Sequence, residues 1–418
     1  MMRVIWHLIY WVVTSMVLIV GTLLFPFLRF WRNRDWLWQR LWPKPLTIQP
    51  KAWLHAVSLG EAVILNSVLS RFSEEERATF LLTSSTQTGL ETLRRQAVCQ
   101  CRLMPFDHPL SLRRFFKNVR VPNLVIVETE IWPELYRFVS GSGGRILLIN
   151  ARLSRKTLKW SENALMRASV AHIDRALLRS ESERAGFKAF GLPDNRMAVT
   201  GNIKFDYVNP QLKSSRLRVW LESTSAMLFI FSSISDDEIE LLAPQALLLL
   251  EQFEGSRLLW VPRHFGHLER HQEALESVSP VLRDGEGELD SRCVILNTIG
   301  ELSSVYPYGT LSVIGGSFNQ RGGQNFLESL AAGVPALVGP CMHNFKLELD
   351  LALEKEAIIQ VQTAEELNSV IRLLLEKPST YERMQQSARE LIQDNLGATE
   401  KTVAALSNFL KLKRSIQR

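Results

Sequence analysis

From residue 50 onward, short apolar runs alternate with longer amphipathic stretches, and this alternation limits the fold more than any other feature of the chain. Nine runs stand out, at 52–57, 80–83, 124–127, 146–149, 228–231, 258–261, 294–296, 311–314 and 336–338. Most are four to six residues long and bounded by Gly, Ser, Asn or Pro. A strand covered on both faces reads as a continuous apolar run, whereas a half-exposed strand alternates. Helical patterns follow several of the runs, at 61–72, 88–97 and 237–252. Strand, turn, helix, strand in repetition predicts an α/β protein of doubly wound parallel sheets. A chain of 418 residues is long enough for two such domains. The pattern breaks near 206–224, where Asp206-Tyr-Val-Asn-Pro210 leads into a polar, basic segment. The predicted organisation is residues 1–45 as an anchor, 46–206 as a first α/β domain, 207–226 as a linker and 227–418 as a second α/β domain ending in helices.

The anchor rests on residues 4–28, 25 positions with no formal charge and a single histidine, His7. A helix of that length reaches across a ~30 Å hydrocarbon core. Arg29, Arg32, Arg34, Arg40 and Lys44 follow, interleaved with Trp31, Trp36, Trp38 and Trp42. Indoles and cations both settle at a membrane–water interface. One arginine before the stretch and five cations after it place the C-terminal side in the cytoplasm. A cleaved secretory signal fits poorly, because Phe25-Pro-Phe-Leu-Arg29 stands where small residues should mark the cleavage site. A helix lying in the interface, or a buried helix of a soluble domain, are the alternatives. The formal charge of +6 belongs to this end of the chain. Residues 1–60 hold seven cations and one anion, so the remaining residues sum to zero. A nucleic-acid-binding body with a diffuse basic face is therefore not expected. The four cysteines, Cys99, Cys101, Cys293 and Cys341, lack metal or redox spacing and read as reduced thiols.

Doubly wound domains bind ligands at the carboxyl ends of their strands. Four segments in such positions carry candidate chemistry. In His55-Ala-Val-Ser-Leu-Gly-Glu61 a strand ends and Glu61 opens a helix. The helix dipole favours an anion there, which suits a general base; a capping box of Ser58 with Glu61 is the plain alternative. In Val127-Glu-Thr-Glu-Ile-Trp-Pro133, Glu128 and Glu130 follow a buried strand, either entering a cleft or starting a helix. In Gly201-Asn-Ile-Lys-Phe-Asp206, Lys204 could neutralise a leaving phosphate or simply be solvated. The segment Gly315-Gly-Ser-Phe-Asn-Gln-Arg-Gly-Gly-Gln-Asn-Phe-Leu-Glu328 joins a strand to a helix expected near Gln324 or Asn325. Its glycine pairs permit close backbone approach, and the helix start offers free N–H groups to a phosphate. Glu328 could reach a ribose hydroxyl. Pro262-Arg263-His264 and Ile299-Gly300-Glu301 also follow strands. No Asp-x-Asp, His-Glu-x-x-His or Gly-x-Ser-x-Gly motif occurs, so a metal-free mechanism without a cofactor is expected.

Taken in order, these segments resemble the Kdo transferases (3-deoxy-D-manno-oct-2-ulosonate transferases) of lipopolysaccharide assembly. The resemblance includes 55–61, 83–89, 128–133, 150–154, 202–206, 262–264, 299–301, 315–317, 322–328 and 339–345. It implies an inverting enzyme of the glycosyltransferase B fold, with two Rossmann-like domains facing a cleft and an N-terminal membrane anchor. The family's general base falls on Glu61, and its transition-state groups fall on Glu128 and Lys204. Its CMP contacts fall on Pro262, Arg263, Ile299, Gly300, Glu301, Asn325, Phe326, Leu327 and Glu328. The implied donor is CMP-Kdo and the implied acceptor a lipid A precursor. The implied location is the inner membrane, with the catalytic domains on the cytoplasmic side and anionic inner-leaflet lipids as neighbours. The chain departs from the family at Ser233-Ile-Ser-Asp236, where Ser-Thr-His-Glu is usual, and at Gln324 and Phe326, where His and Pro are common. Another enzyme of the same fold using a different nucleotide sugar is the nearest alternative, and a tethered module without activity is a more distant one.

Overall fold

The computed structural model describes residues 2–27, 34–95, 97–206, 215–223, 226–285 and 289–411. They form two units: Met1–Asp206 together with Leu396–Arg418, and Tyr207–Asn395.

In the first unit the strands are β1 (Ala52–Ala56), β2 (Phe80–Ser84), β3 (Gln100–Leu103), β4 (Asn123–Val127), β5 (Ile146–Ala151), β6 (Arg175–Leu178) and β7 (Met197–Val199). They pair in parallel in the order 3-2-1-4-5-6-7. Successive side chains point to opposite faces of a strand. Trp53, Leu124 and Ile126 accordingly join one apolar layer, and Leu54, Val125 and Val127 join the other. Both layers are covered, which is why these strands read as unbroken apolar runs.

The second unit repeats the plan. Its strands are β8 (Leu228–Ile234), β9 (Arg257–Pro262), β10 (Val281–Leu282), β11 (Cys293–Ile295), β12 (Leu311–Ile314), β13 (Ala336–Val338) and β14 (Ile358–Gln360). The order is 10-11-9-8-12-13-14, again all parallel.

The structure departs from the expected layout at both ends of the chain. The second domain was expected to run from 227 to 418. Instead the helix Ala398–Leu410 belongs to the first unit, where Ala398, Val403, Leu406 and Phe409 join the same layer as Val125 and Ile149. Asp206 fixes its start, accepting from the Gly397 N–H at 2.7 Å and also from the Thr399 N–H. Most of the expected linker, 207–214 and 224–225, lies outside the described residues.

At the N-terminus, α1 (Met2–Leu24) is followed by α2 (Arg34–Leu41). Arg29, Trp31 and Arg32 of the expected interfacial collar lie outside the described residues. Several of the others turn inward. The Trp36 indole donates to the Ser85 carbonyl at 2.9 Å, and Arg40 Nε donates to the Met104 carbonyl at 3.0 Å. Trp38 stacks on Phe25 with ring centroids 4.2 Å apart. Part of the collar therefore ties α2 to the first unit, because a buried carbonyl must find a donor.

Candidate functional site

Ligands of doubly wound sheets bind where the strand order reverses. In the first unit that point lies between β1 and β4, and in the second between β8 and β12. Glu61 follows β1 and Glu128 follows β4. The loop at 233–238 follows β8, and the first glycine pair follows β12.

Glu61 is the third residue of α3 (Leu59–Leu69). The capping box does not form, since the Ser58 side chain accepts no helix N–H. The Glu61 carboxylate instead turns back over the end of β1. It accepts from the Val57 N–H at 2.6 Å and from the Ser58 hydroxyl at 3.3 Å. The β2 loop braces the same turn, with the Ser84 hydroxyl and the Thr86 N–H both donating to the Val57 carbonyl, at 3.1 and 3.2 Å. His55 is fully buried against Thr83, and burial pushes its imidazole down to about 3, so it is a neutral core residue.

Glu128 has φ 60°, a left-handed conformation that a non-glycine residue adopts only under constraint from its surroundings. Its N–H donates to the Ile149 carbonyl at 2.8 Å, and its carboxylate takes Arg152 Nε at 2.5 Å. Asn150, also left-handed at φ 51°, accepts the Ile203 N–H at 3.0 Å and so holds the turn Ile203–Asp206 that carries Lys204. Three segments that the sequence presents separately thus meet at the carboxyl ends of β1, β4 and β5. Arg152 and Asn150 were legible only as parts of a family motif; their roles appear with the pairing of β4 and β5.

The electrostatics correct one expectation. The helix dipole was expected to keep Glu61 ionised. Burial, and next the charge of Glu128, push its carboxyl up to about 8. Glu130 is raised for the same two reasons. Crowded carboxylates resist ionising together. If Glu61 is the base, kcat/KM must climb with pH as it loses its proton, with a limb near pH 8. In Glu128→Gln that limb should move to lower pH, because one of the charges that opposes ionisation is gone. A pH–rate profile with no limb above pH 6 in the parent protein would contradict this.

In the second unit the sequence-predicted residues divide into two kinds. Arg263 and His264 are exposed just beyond β9, with the Arg263 N–H donating to the Ile234 carbonyl at 2.7 Å. Ile299 is 79% exposed and Gly300 is left-handed at φ 89°. Glu301 is buried and already engaged, by Arg283 at 3.0 Å and by the Thr298 hydroxyl. Pro262, Phe326 and Leu327 are buried in the core, so only their backbone can face a ligand. Asn325 donates to Glu328 at 2.9 Å and accepts the Leu327 N–H at 3.1 Å. The expected helix at Gln324 or Asn325 begins later and is short, Leu327–Ala331.

The glycine-rich loop has a partner that the sequence reading missed. Glu238, fully buried, accepts from the Gly316 N–H at 2.7 Å, the Phe318 N–H at 3.0 Å and the Ser235 N–H at 3.1 Å. One carboxylate therefore joins the β8 loop to the β12 loop at the switch point. At the family's departure, Ile234 is buried and the Ser235 hydroxyl is enclosed without a partner. Asp236 gathers His267 at 2.6 Å, and that hydrogen bond holds its carboxyl below the usual range. Gly315 explains the first glycine. A Cβ there would lie 2.5 Å from the Ser233 carbonyl oxygen and 2.8 Å from Ile234 Cα. Gly315→Ala should destabilise the protein by about 1–3 kcal/mol, the usual range for overpacking, which a thermal melt would show.

Residues 31–207 match the family model of 3-deoxy-D-manno-octulosonic-acid transferases (kdotransferases). The chain is also similar along most of its length to curated proteins of that name. It is 28% identical to the one from Bordetella pertussis, covering 88% of this chain and 89% of the relative. It is 26% identical to the one from Haemophilus influenzae, covering 86% and 87%. Along most of its length the chain is therefore similar to Kdo transferases. The same fold recurs in solved structures. A glycosyltransferase from Rickettsia africae aligns with TM-score 0.56 at 13% identity, over 87% of this chain and 99% of that one. A UDP-GlcNAc 2-epimerase from Neisseria meningitidis aligns with TM-score 0.56 at 13% identity, over 86% and 99%. The family match covers the segments of the first unit that carry Glu61, Glu128, Arg152 and Lys204.

Proposed function

We propose that this protein is a Kdo transferase that moves Kdo from CMP-Kdo to a lipid A precursor of the lipid IVA type, in the inner-core stage of lipopolysaccharide assembly. The observation that carries the reading is Glu61, a carboxylate with a raised pKa at the β1/β4 switch point beside Glu128 and Glu130. A carboxylate poised near neutrality is matched to taking a proton from a sugar hydroxyl. The deprotonated oxygen attacks the anomeric carbon of Kdo, the bond to the CMP phosphate breaks, and the configuration inverts. Glu128, held by Arg152, and Lys204 stabilise the charge that develops. Pro262, Arg263, 299–301 and 325–328 hold the nucleotide. In this reading side chains meet the charge on the departing phosphate, so excess EDTA should leave turnover unchanged. The enzyme works at the inner membrane, with its catalytic units on the cytoplasmic side and its cations next to anionic lipid.

Mass spectrometry of the product formed from lipid IVA and a CMP-Kdo source tests the reaction. Addition of the Kdo residue mass is the expected result, and an unchanged acceptor would overturn it. A second reading, transfer from a UDP-sugar, is favoured by one observation: the fold is shared with an epimerase solved with UDP-GlcNAc. A bound ligand raises stability by RT ln(1 + [L]/Kd). CMP should therefore raise the melting temperature more than UDP, and the reverse order would favour the second reading.

A further inference from the structure

The helix α1 has two faces that differ in kind. One carries polar side chains at His7, Tyr10, Thr14, Ser15 and Thr22, positions that fall on one side of a helix. Each of four polar positions finds a partner in the first unit. His7 Nε2 lies 2.6 Å from Glu134 Oε1. The Tyr10 hydroxyl donates to Asp107 at 2.5 Å. Ser15 Oγ lies 3.1 Å from His108 Nε2, and the Thr22 hydroxyl accepts the Trp42 indole N–H at 2.7 Å. Leu18, within the same stripe, is only 4% exposed. At Gly21 a Cβ would lie 2.6 Å from Leu41 Cδ1, so the glycine lets α2 come close. The opposite face is bare: Met16, Ile19, Val20 and Leu23 are each more than half exposed.

A helix crossing the bilayer would carry this ladder with it. From His7 to Thr22 is about four turns, or ~22 Å of a ~30 Å hydrocarbon core. Asp107 and Glu134 are enclosed by protein, but Arg137, half exposed and paired with Glu134 at 2.7 Å, would be drawn in alongside. Ionisable groups are strongly disfavoured there unless enclosed by protein. A helix lying along the membrane surface avoids this, with apolar side chains sunk about 5–10 Å into the boundary of headgroups and acyl chains.

We propose that α1 does not cross the bilayer but lies in the plane of its surface, clamped to the first unit along the polar stripe and giving its bare apolar face to lipid. This rests on the membrane location proposed above. The clamp reaches the candidate site. Asp107 also accepts the N–H groups of Glu134 and Leu135, at 3.2 and 2.7 Å, at the start of the helix Pro133–Gly141. That helix directly follows Glu128 and Glu130, and its Tyr136 hydroxyl donates to the Glu130 carbonyl at 2.5 Å. The lipid-facing helix and the carboxylates thus share one rigid support, which fixes the depth at which a membrane-borne acceptor meets them.

The test is a depth measurement on the full-length protein in vesicles of three parts phosphatidylcholine to one part phosphatidylglycerol. A genetically encoded fluorescent amino acid is placed singly at Ile5, Met16 and Leu23, and quenched by lipids brominated at different positions of the acyl chain. The expected result is one shallow depth shared by all three positions. A profile in which Met16 lies deeper than both ends, by roughly 10 Å or more, is that of a spanning helix; it overturns the proposal and leaves the membrane location standing. A monotonic slope from one end to the other also overturns it. No quenching at any position overturns the membrane location as well.

Discussion

Glu61→Gln is expected to lower kcat by about 10²- to 10⁴-fold, the contribution typical of a positioned base. The rise in melting temperature caused by CMP should persist, because the predicted nucleotide contacts all lie in the second unit. The same substitution should act on stability in a pH-dependent way. Burial raises the Glu61 carboxyl from 4.5 to about 8, so the folded protein keeps a proton that the unfolded chain gives up between those values. The stability associated with this proton is fully present below about pH 4.5 and is lost as pH rises towards 8. Glutamine is neutral throughout. Glu61→Gln should therefore melt higher than the parent at pH 8, with the gain shrinking towards pH 5. Near-normal turnover, or a melting difference that does not depend on pH, would remove Glu61 from its assigned role.

Glu238→Ala should have the largest effect on the second unit. It strips an acceptor from the N–H groups of Ser235, Gly316 and Phe318. Each buried donor left unmade costs about 1–3 kcal/mol, so the variant is expected to be marginally folded at 37 °C. Glu238→Gln retains one carbonyl oxygen and serves as the milder probe. In that variant KM for CMP-Kdo should rise at least tenfold, while KM for the lipid acceptor stays within about twofold, since the first unit is untouched. Equal changes in both constants would mean that Glu238 serves only the stability of the unit and not the nucleotide loop.

The nine apolar runs all became strands, and they are the central strands of the two sheets. The five strands that the sequence hid are β3, β6, β7, β10 and β14. Four of these are sheet edges, and an edge strand lacks the double cover that makes a run continuously apolar. Gln100–Leu103 is only partly buried until its last residue, and Val281–Leu282 is two residues long. The remaining strand, Arg175–Leu178, opens on an exposed arginine and is otherwise short, so it carries little signal of its own. The candidate site was legible where chemistry follows a strand end, at Glu61, Glu128 and the glycine pairs. It was not legible where the function depends on a neighbour in space. Arg152 reaches Glu128 because β5 pairs with β4, and Glu238 reaches the glycine loop because β8 pairs with β12. The departure read from the sequence stops at Asp236; the sheet order puts Glu238, two residues on, beside Gly316.

The helix Ala398–Leu410 has a consequence for how the protein is made. The layer of the first unit that contains Val125 and Ile149 is completed by side chains from the far end of the chain. During synthesis, residues 207–395 must leave the ribosome before that cover exists. At about 5–20 residues per second this is an interval of roughly 10–40 s in which the first unit exposes an unfinished apolar face. The nascent chain would wait through that interval with a sticky surface open to solvent. Chaperones that shield such surfaces should therefore matter more for the yield of this protein than for one whose domains close in order of synthesis.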